Sequence, residues 1–303
     1  MSHVSRPART RLRVATFAAF CLTVVAACSG GDDIVDDAAP SAPSTTTAVT
    51  TTTLPSTTSS STSTSTTSST AATTTTLPPV VRQPLTGAVL GDGDSPIGRP
   101  ALAVKIDNAP GARRNHSGLA VADVVFEEIV EGSITRFAAV FHSRDSDVVG
   151  PIRSGRSQDV DLLTSFVEPL FAWSGGNAGV TRLIAESPLT DLNAVRGGTG
   201  YYRGPGETPH NLYNSTQALW AQTPDGHPGS PPPQQFSYLR PGKEFDGEPV
   251  SGVALPMRGI DVEWTWDADQ GRLLRSQDGG RHIDQLLGRF GAENVLIFGT
   301  WFR

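Results

Sequence analysis

The chain has 303 residues, with 24 Lys and Arg against 30 Asp and Glu and a formal net charge of −6. A net negative chain lacks the basic face that displaces counterions from a phosphate backbone, which argues against nucleic-acid binding. Ser, Thr and Pro crowd one stretch and leave roughly 220 residues to fold, enough for one medium domain and a small one.

Residues 1–27 carry Arg6, Arg9, Arg11 and Arg13 and no acid, so removing them takes Lys and Arg to about 20 and the charge to about −10. Residues 14–27 form an apolar run too short to span a bilayer as a stable helix, and Val25, Ala26 and Ala27 stand just before Cys28. A basic leader, an apolar core and small residues before a cysteine form the pattern of a bacterial lipoprotein signal, cut so that Cys28 is acylated. A plain secreted protein with an incidental Cys28 is the alternative. The expected location is the outer face of the bacterial cytoplasmic membrane, with the membrane as a partner through a lipid anchor on Cys28. Cys21 lies in the part removed, so the folded region has no cysteine for a disulfide, a thiolate zinc site or a nucleophile.

Four aspartates, Asp32, Asp33, Asp36 and Asp37, lead into a Ser/Thr tract in which Thr-Thr-Thr-Thr-Leu-Pro ends at Pro55 and again at Pro78. There is too little apolar surface here to offset ordering entropy, so residues 28–82 are expected to be a disordered stalk. Glycosylation of its hydroxyls and a bare spacer are both compatible with the composition.

The folded region opens with a buried strand over 101–106, ended by the turn chemistry of Asp107, Asn108 and Pro110. Two β-rich runs, 123–130 and 134–142, flank Gly132-Ser133, which fits a two-residue hairpin with a type II′ turn. In that register Ile129 faces Arg136, with Glu127 and Glu131 diagonal on the same face, and Glu128 is the one acid among Phe126, Val130, Phe137 and Phe141. Glu128 is then expected to be buried and to meet Arg153 or Arg156, while Arg136 is expected to be partly exposed near the turn.

A short strand over 148–153 follows, then a helix capped by Ser154 or Ser157 with Val160, Leu163, Phe166 and Val167 at helical spacing. A strand over 170–173 runs into the glycine-rich loop 174–179 and a helix through Val180 and Ile184. That loop could cradle an anion on its N–H groups, but it has neither a Gly-Lys-Ser/Thr ending nor G-x-G-x-x-G, and a plain turn explains it better. Residues 197–206 read as a mobile loop, and 209–213 lead into a helix reaching Trp220. After a Pro/Gly linker at 224–233, strands are expected at 260–267, from Gly271 through Leu274, and at 295–298. The fold class is mixed α/β (α+β): a mixed β-sheet with packed helices over 83–238 and a small, mainly β C-terminal domain over 239–303.

Buried charge must be paired or functional, which singles out Asp107, Asn108, Glu127, Glu128, Glu131 and Arg136, and beyond them Arg153 and Arg156. His210 and Asn211 join them as polar residues at a segment end. The arginines offer planar forks for carboxylate or phosphate, so the preferred expectation is a pocket for an anionic or sugar-like cell-envelope ligand. An internal Glu/Arg network that fixes the fold explains the same residues almost as well. A hydrolase or transferase acting on envelope polymers and a stalk-displayed interaction module are the other classes. Glu127 and Glu131 would stand about 13 Å apart on one strand, too far for a glycosidase pair. Ser154 or Ser174 with His210 and Asp107 lacks a G-x-S-x-G elbow, and His142 with His210 and Asp107 lacks any metal-ligand spacing. Neither a metal nor a cofactor is called for, and neither a catalytic residue nor an oligomeric state is assigned.

The chain resembles the YerB-like bacterial lipoprotein family, which carries domain of unknown function family 3048. The resemblance rests on Pro84-Leu-Thr-Gly87, Ile106-Asp-Asn108, Ser117-Gly-Leu119, Ala122-Asp-Val-Val-Phe-Glu127, Glu131-Gly-Ser-Ile-Thr-Arg-Phe137, Gly150-Pro-Ile-Arg-Ser-Gly-Arg156 and Pro209-His-Asn-Leu-Tyr213. These segments follow in the family's order across 84–303, and Ser133 stands where the family usually has a second glycine. The resemblance implies a larger N-terminal domain, a smaller C-terminal one and a surface location, with no settled activity. It also implies that the family's C-terminal domain continues past Val295, so an incomplete domain is expected here.

Overall fold

The computed structural model describes residues 80–240 and 242–299; the leader, Cys28 and the Ser/Thr tract through residue 79 lie outside the described residues. The first sheet contains β1 (Leu102–Asp107), β2 (Val124–Val130), β3 (Ile134–Phe141), β4 (Leu170–Trp173) and β5 (Thr190–Asn193), in the order β2-β3-β1-β4-β5. β2, β3 and β1 are antiparallel neighbours, whereas β1, β4 and β5 run parallel. Parallel neighbours need crossovers, and helices supply them. α1 (Gln158–Leu163) precedes β4, and α2 (Ala178–Ala185), capped by the Asn177 side chain on the Val180 N–H, joins β4 to β5. This is the mixed α+β class expected.

β1 is buried along its whole length because both faces of the sheet are covered. Leu102, Val104 and Ile106 pack with Phe137, Phe141, Leu119, Phe290 and the Leu219 side chain of α3 (Thr216–Trp220). On the other face Ala103, Ala138 and Val140 pack with Leu163, Phe166, Trp173 and Ile184. Burying side chains of this size contributes roughly 1.5–3 kcal/mol each, so the sheet is the stable frame for what hangs from its end.

The hairpin differs from expectation by one residue. Val130 pairs with Ile134 and Glu128 with Arg136, so the loop is three residues, Glu131 to Ser133, with Gly132 and Ser133 both at positive φ. An odd loop shifts every partner by one, which puts Glu128 rather than Ile129 opposite Arg136 and moves Glu127 to the Phe137 face. The segment 197–206 is not a free loop either: Tyr202 pairs with Tyr213 and the Tyr201 hydroxyl donates to the Leu192 carbonyl at 2.5 Å.

Beyond the linker, β6 (Gly252–Pro256), β7 (Asp261–Asp267) and β8 (Arg272–Gln277) form a second antiparallel sheet, with the short strands Gly280–Arg281 and Gly291–Ala292 pairing with β8. The strand 252–256 escaped the sequence pattern because Gly and Pro at its ends read as loop, yet an edge strand tolerates both. The expected strand at 295–298 is absent: Leu296, Ile297 and Phe298 are exposed and pair with nothing among the described residues. Apolar β-formers make no strand without a neighbour to pair with.

Candidate functional site

β1 and β4 part at their carboxyl ends. Their pairing stops at Val104 and Ala172, and the segment 151–154 enters the gap. The Asp107 N–H donates to the Pro151 carbonyl, the Arg153 N–H to the Lys105 carbonyl and the Ser174 N–H to the Arg153 carbonyl, at 2.8–3.0 Å. The segment can enter because Gly150 has no side chain; a Cβ there would lie 2.6 Å from the Leu212 carbonyl oxygen. Splayed carboxyl ends of parallel strands are where α/β scaffolds form crevices.

Asp107, Arg136 and Glu128 form one cross-strand row, on the face covered by α1 and α2. Asp107 is buried at the crevice. Its Oδ1 accepts the Ala109 N–H at 3.0 Å, and its Oδ2 accepts from His210 Nδ1 at 2.7 Å and lies 3.3 Å from Arg153 Nε. The expectation that Arg136 is partly exposed is wrong. It is 5 % exposed, because the row places it under the 151–154 segment, where Nη1 donates to the Ser154 carbonyl at 2.9 Å. Arg136 ion-pairs with no carboxylate among the described residues, and its Nε is buried without a hydrogen-bond partner; so is the Nε of Arg153. Burial, then the neighbouring charges of Arg156 and Arg153, push the Arg136 pKa down to about 10 against the opposing pull of Asp107 and Glu131. Arg156 turns outward, donating from Nε to the exposed Glu131 at 2.5 Å.

Glu128 also departs from expectation. Its partner is neither Arg153 nor Arg156 but Lys105, which is fully buried and donates to Glu128 and, at 2.6 Å, to Asp159 of α1. One ammonium between two carboxylates leaves a buried net negative charge, and the Glu128 pKa rises to about 7, driven by burial and by Asp159 against the pull of Lys105. Asp159 has a second task, accepting the Arg156 N–H at 2.6 Å at the helix start where Ser157 makes no side-chain cap.

The remaining residues belong elsewhere. Glu127 faces the second sheet, taking two hydrogen bonds from Arg275, at 3.0 Å from Nε and 2.5 Å from Nη2, and one from Thr135 at 2.7 Å. Asn108 donates to Thr135 and Gln277 in the same layer. Beside it His116 Nδ1 and His282 Nε2 are 2.7 Å apart, with His116 Nε2 donating to the Asp107 carbonyl at 2.6 Å. Asn211 holds the 204–206 turn by donating to the Gly206 carbonyl at 3.0 Å. The crevice therefore gathers Asp107, Arg136, Arg153 and His210, bordered by Arg156 and Glu131. Lys105 could have been suspected from a lysine inside an apolar strand; Arg275, His116 and His282 carried no local signal. His142 bonds the Ile97 carbonyl, and among the described residues no His/Cys/Asp/Glu group is placed to hold a metal ion.

The fold and this crevice define a two-sheet α+β protein with arginines gathered at the carboxyl ends of parallel strands. Residues 85–228 match the family described as "Protein of unknown function (DUF3048) N-terminal domain". Over 225 residues the chain is 35% identical to the Bacillus subtilis (strain 168) protein named "Putative lipoprotein YerB", covering 72% of this chain and 66% of that protein, just under two thirds of its length. The crystal structure of YerB from Bacillus subtilis aligns with a TM-score of 0.56 at 27% identity, over 70% of this chain and 72% of that one. The chain belongs to the YerB-like family of lipoproteins that carry this domain of unknown function.

Proposed function

We propose that the protein is anchored by a lipid on Cys28 to the outer face of the cytoplasmic membrane and binds an anionic cell-envelope ligand at the crevice. The 83–238 domain carries the site, and the 239–303 domain braces it. The anchor is supported by Val25-Ala-Ala-Cys28 behind a basic, apolar leader. Binding is carried by one observation: Arg136 is buried without a carboxylate partner and keeps a buried Nε with no hydrogen-bond partner, while Arg153 is already paired with Asp107. A buried cation left unpaired is unfavourable unless something supplies the counter-charge, and a phosphate or carboxylate would do so through two N–H groups at once.

The test is thermal melting of the full chain in detergent with rising inorganic phosphate and, separately, an uncharged monosaccharide. Phosphate at about 100 times its Kd should add about 2.7 kcal/mol and raise Tm by several degrees, and the sugar should not. No shift with phosphate, or an equal shift in Arg136→Met, would sink the assignment. For the anchor, Cys28→Ala should move the protein out of the membrane fraction.

A further inference from the structure

His210 is held in one orientation. Its Nδ1 donates to Asp107 Oδ2 at 2.7 Å, and that carboxylate is itself fixed by the Ala109 N–H and by Arg153. The ring lies against Gly111, where a Cβ would come within 3.1 Å of its Cδ2. In the neutral ring this donation leaves the lone pair on Nε2, which has no protein hydrogen-bond partner among the described residues, and the side chain is 28% exposed. A carboxylate on one nitrogen and a free lone pair on the other is what a general base requires. The binding groups stand at the same carboxylate: Arg153 shares Asp107 Oδ2 with His210, and Arg136 is its neighbour in the β1–β3 pairing. Arg153 is paired with Asp107 and Arg156 with the exposed Glu131, so of the three guanidiniums Arg136 is left with one positive charge unmatched, which an anionic group on a substrate would answer.

We propose that Asp107 and His210 form an acid–base pair that hydrolyses a phosphate monoester held by Arg136, Arg153 and Arg156. This rests on the anion-binding assignment above. The co-reactant is water: His210 Nε2 removes a proton as the water oxygen bonds to phosphorus, the ester P–O bond breaks on the opposite side, the leaving alkoxide takes a proton from solvent, and the imidazolium releases its own proton to solvent. An alcohol and inorganic phosphate result, and His210 ends as it began. Asp107 is the positioning residue, holding the Nδ1–H tautomer and stabilising the imidazolium.

The experiment uses the full chain in detergent, with p-nitrophenyl phosphate for turnover and inorganic phosphate for binding. Wild type should release p-nitrophenol. His210→Ala should lose at least 100-fold in kcat, with phosphate affinity within about threefold, and free imidazole should restore part of the rate. His210→Gln, which keeps an amide at the same place, guards against loss of fold and should be equally inactive. Asp107→Asn should lower kcat more than it raises KM and shift the acidic limb of the pH–rate profile. Phosphate binding without hydrolysis overturns the catalytic proposal and leaves the binding site standing; failure to bind phosphate overturns both. Turnover that survives in His210→Ala removes His210 from the chemistry.

Discussion

Glu127 and Arg275, 148 residues apart in the chain, meet through two hydrogen bonds and tie the second sheet to the first. Arg275 is buried, with its guanidinium carbon 5.2 Å from the centre of the Phe137 ring, so Glu127 is its counter-charge in a layer closed to solvent on the arginine's side. Losing one member of such a pair strands the other. Glu127→Ala should destabilise the protein by about 3–5 kcal/mol, read as a lower urea midpoint. A midpoint within error of wild type would mean that this pair adds nothing to the packing and to the other hydrogen bonds between the sheets, such as Asn108 to Gln277.

The Lys105–Glu128–Asp159 group makes a prediction with a sign. The folded-state pKa of Glu128, about 7, lies above its ordinary 4.5. The folded state therefore binds more protons between those values, and Glu128 lowers stability as pH rises from about 4.5 to 7, with the full penalty above 7. Glu128→Gln imitates the protonated acid and can still accept from Lys105. At pH 8 it should melt no lower than wild type, whereas an ion pair with Arg153 would demand a large loss. Asp159→Ala, by contrast, removes both a Lys105 partner and the acceptor for the Arg156 N–H, and should lower Tm by several degrees at any pH from 6 to 8.

The histidine pair works in the opposite direction. Burial lowers the His116 pKa from 6.5 to about 4, and burial with the charge of His116 and Arg275 lowers His282 well below 6.5. Both rings are held neutral in the folded state, so stability is intact above about pH 6.5 and is lost as pH falls toward 4, by about 3 kcal/mol for His116 alone. The gain from Glu128 over nearly the same window partly offsets this loss. Wild-type Tm should therefore change little from pH 7 to 5.5, while Glu128→Gln, lacking the offset, should fall visibly over that range. Parallel curves for the two proteins would show that Glu128 does not titrate there.

What the sequence made legible was local. The strands over 102–107, 124–130 and 134–141 and the three helices follow from periodicity, although the expected Ser154 or Ser157 cap on the first helix is absent, and charge inside apolar runs marked Asp107, Glu127, Glu128 and Arg136. What it hid was pairing. One residue of loop length at 131–133 decides which acid faces Arg136, and no local pattern distinguishes a two-residue turn from a three-residue one when Ser133 adopts positive φ. Lys105 carried the same signal, a charge inside an apolar run, but its partners Glu128 and Asp159 did not show locally, and Arg275 and His282 reach the first sheet only through the fold. The split between β1 and β4 that makes the crevice depends on the 151–154 segment, whose bonds to Lys105 and Asp107 span more than forty residues.

The sharpest separation of scaffold from site lies in Arg136. Keeping a guanidinium 5 % exposed without a carboxylate partner is unfavourable in the unliganded protein, because desolvation is not offset by an ion pair. Methionine has a similar length and needs no counter-charge, and only the bond to the Ser154 carbonyl would be lost. Arg136→Met should thus melt at or above the wild-type temperature without ligand and gain nothing from phosphate, whereas wild type starts lower and rises. A residue kept for the fold behaves the other way: its loss lowers the unliganded Tm and leaves the phosphate increment intact. Melting curves of both proteins, with and without phosphate, decide between the two, and a drop of several degrees in unliganded Arg136→Met with the phosphate increment intact would place Arg136 in the framework and overturn the anion-binding assignment.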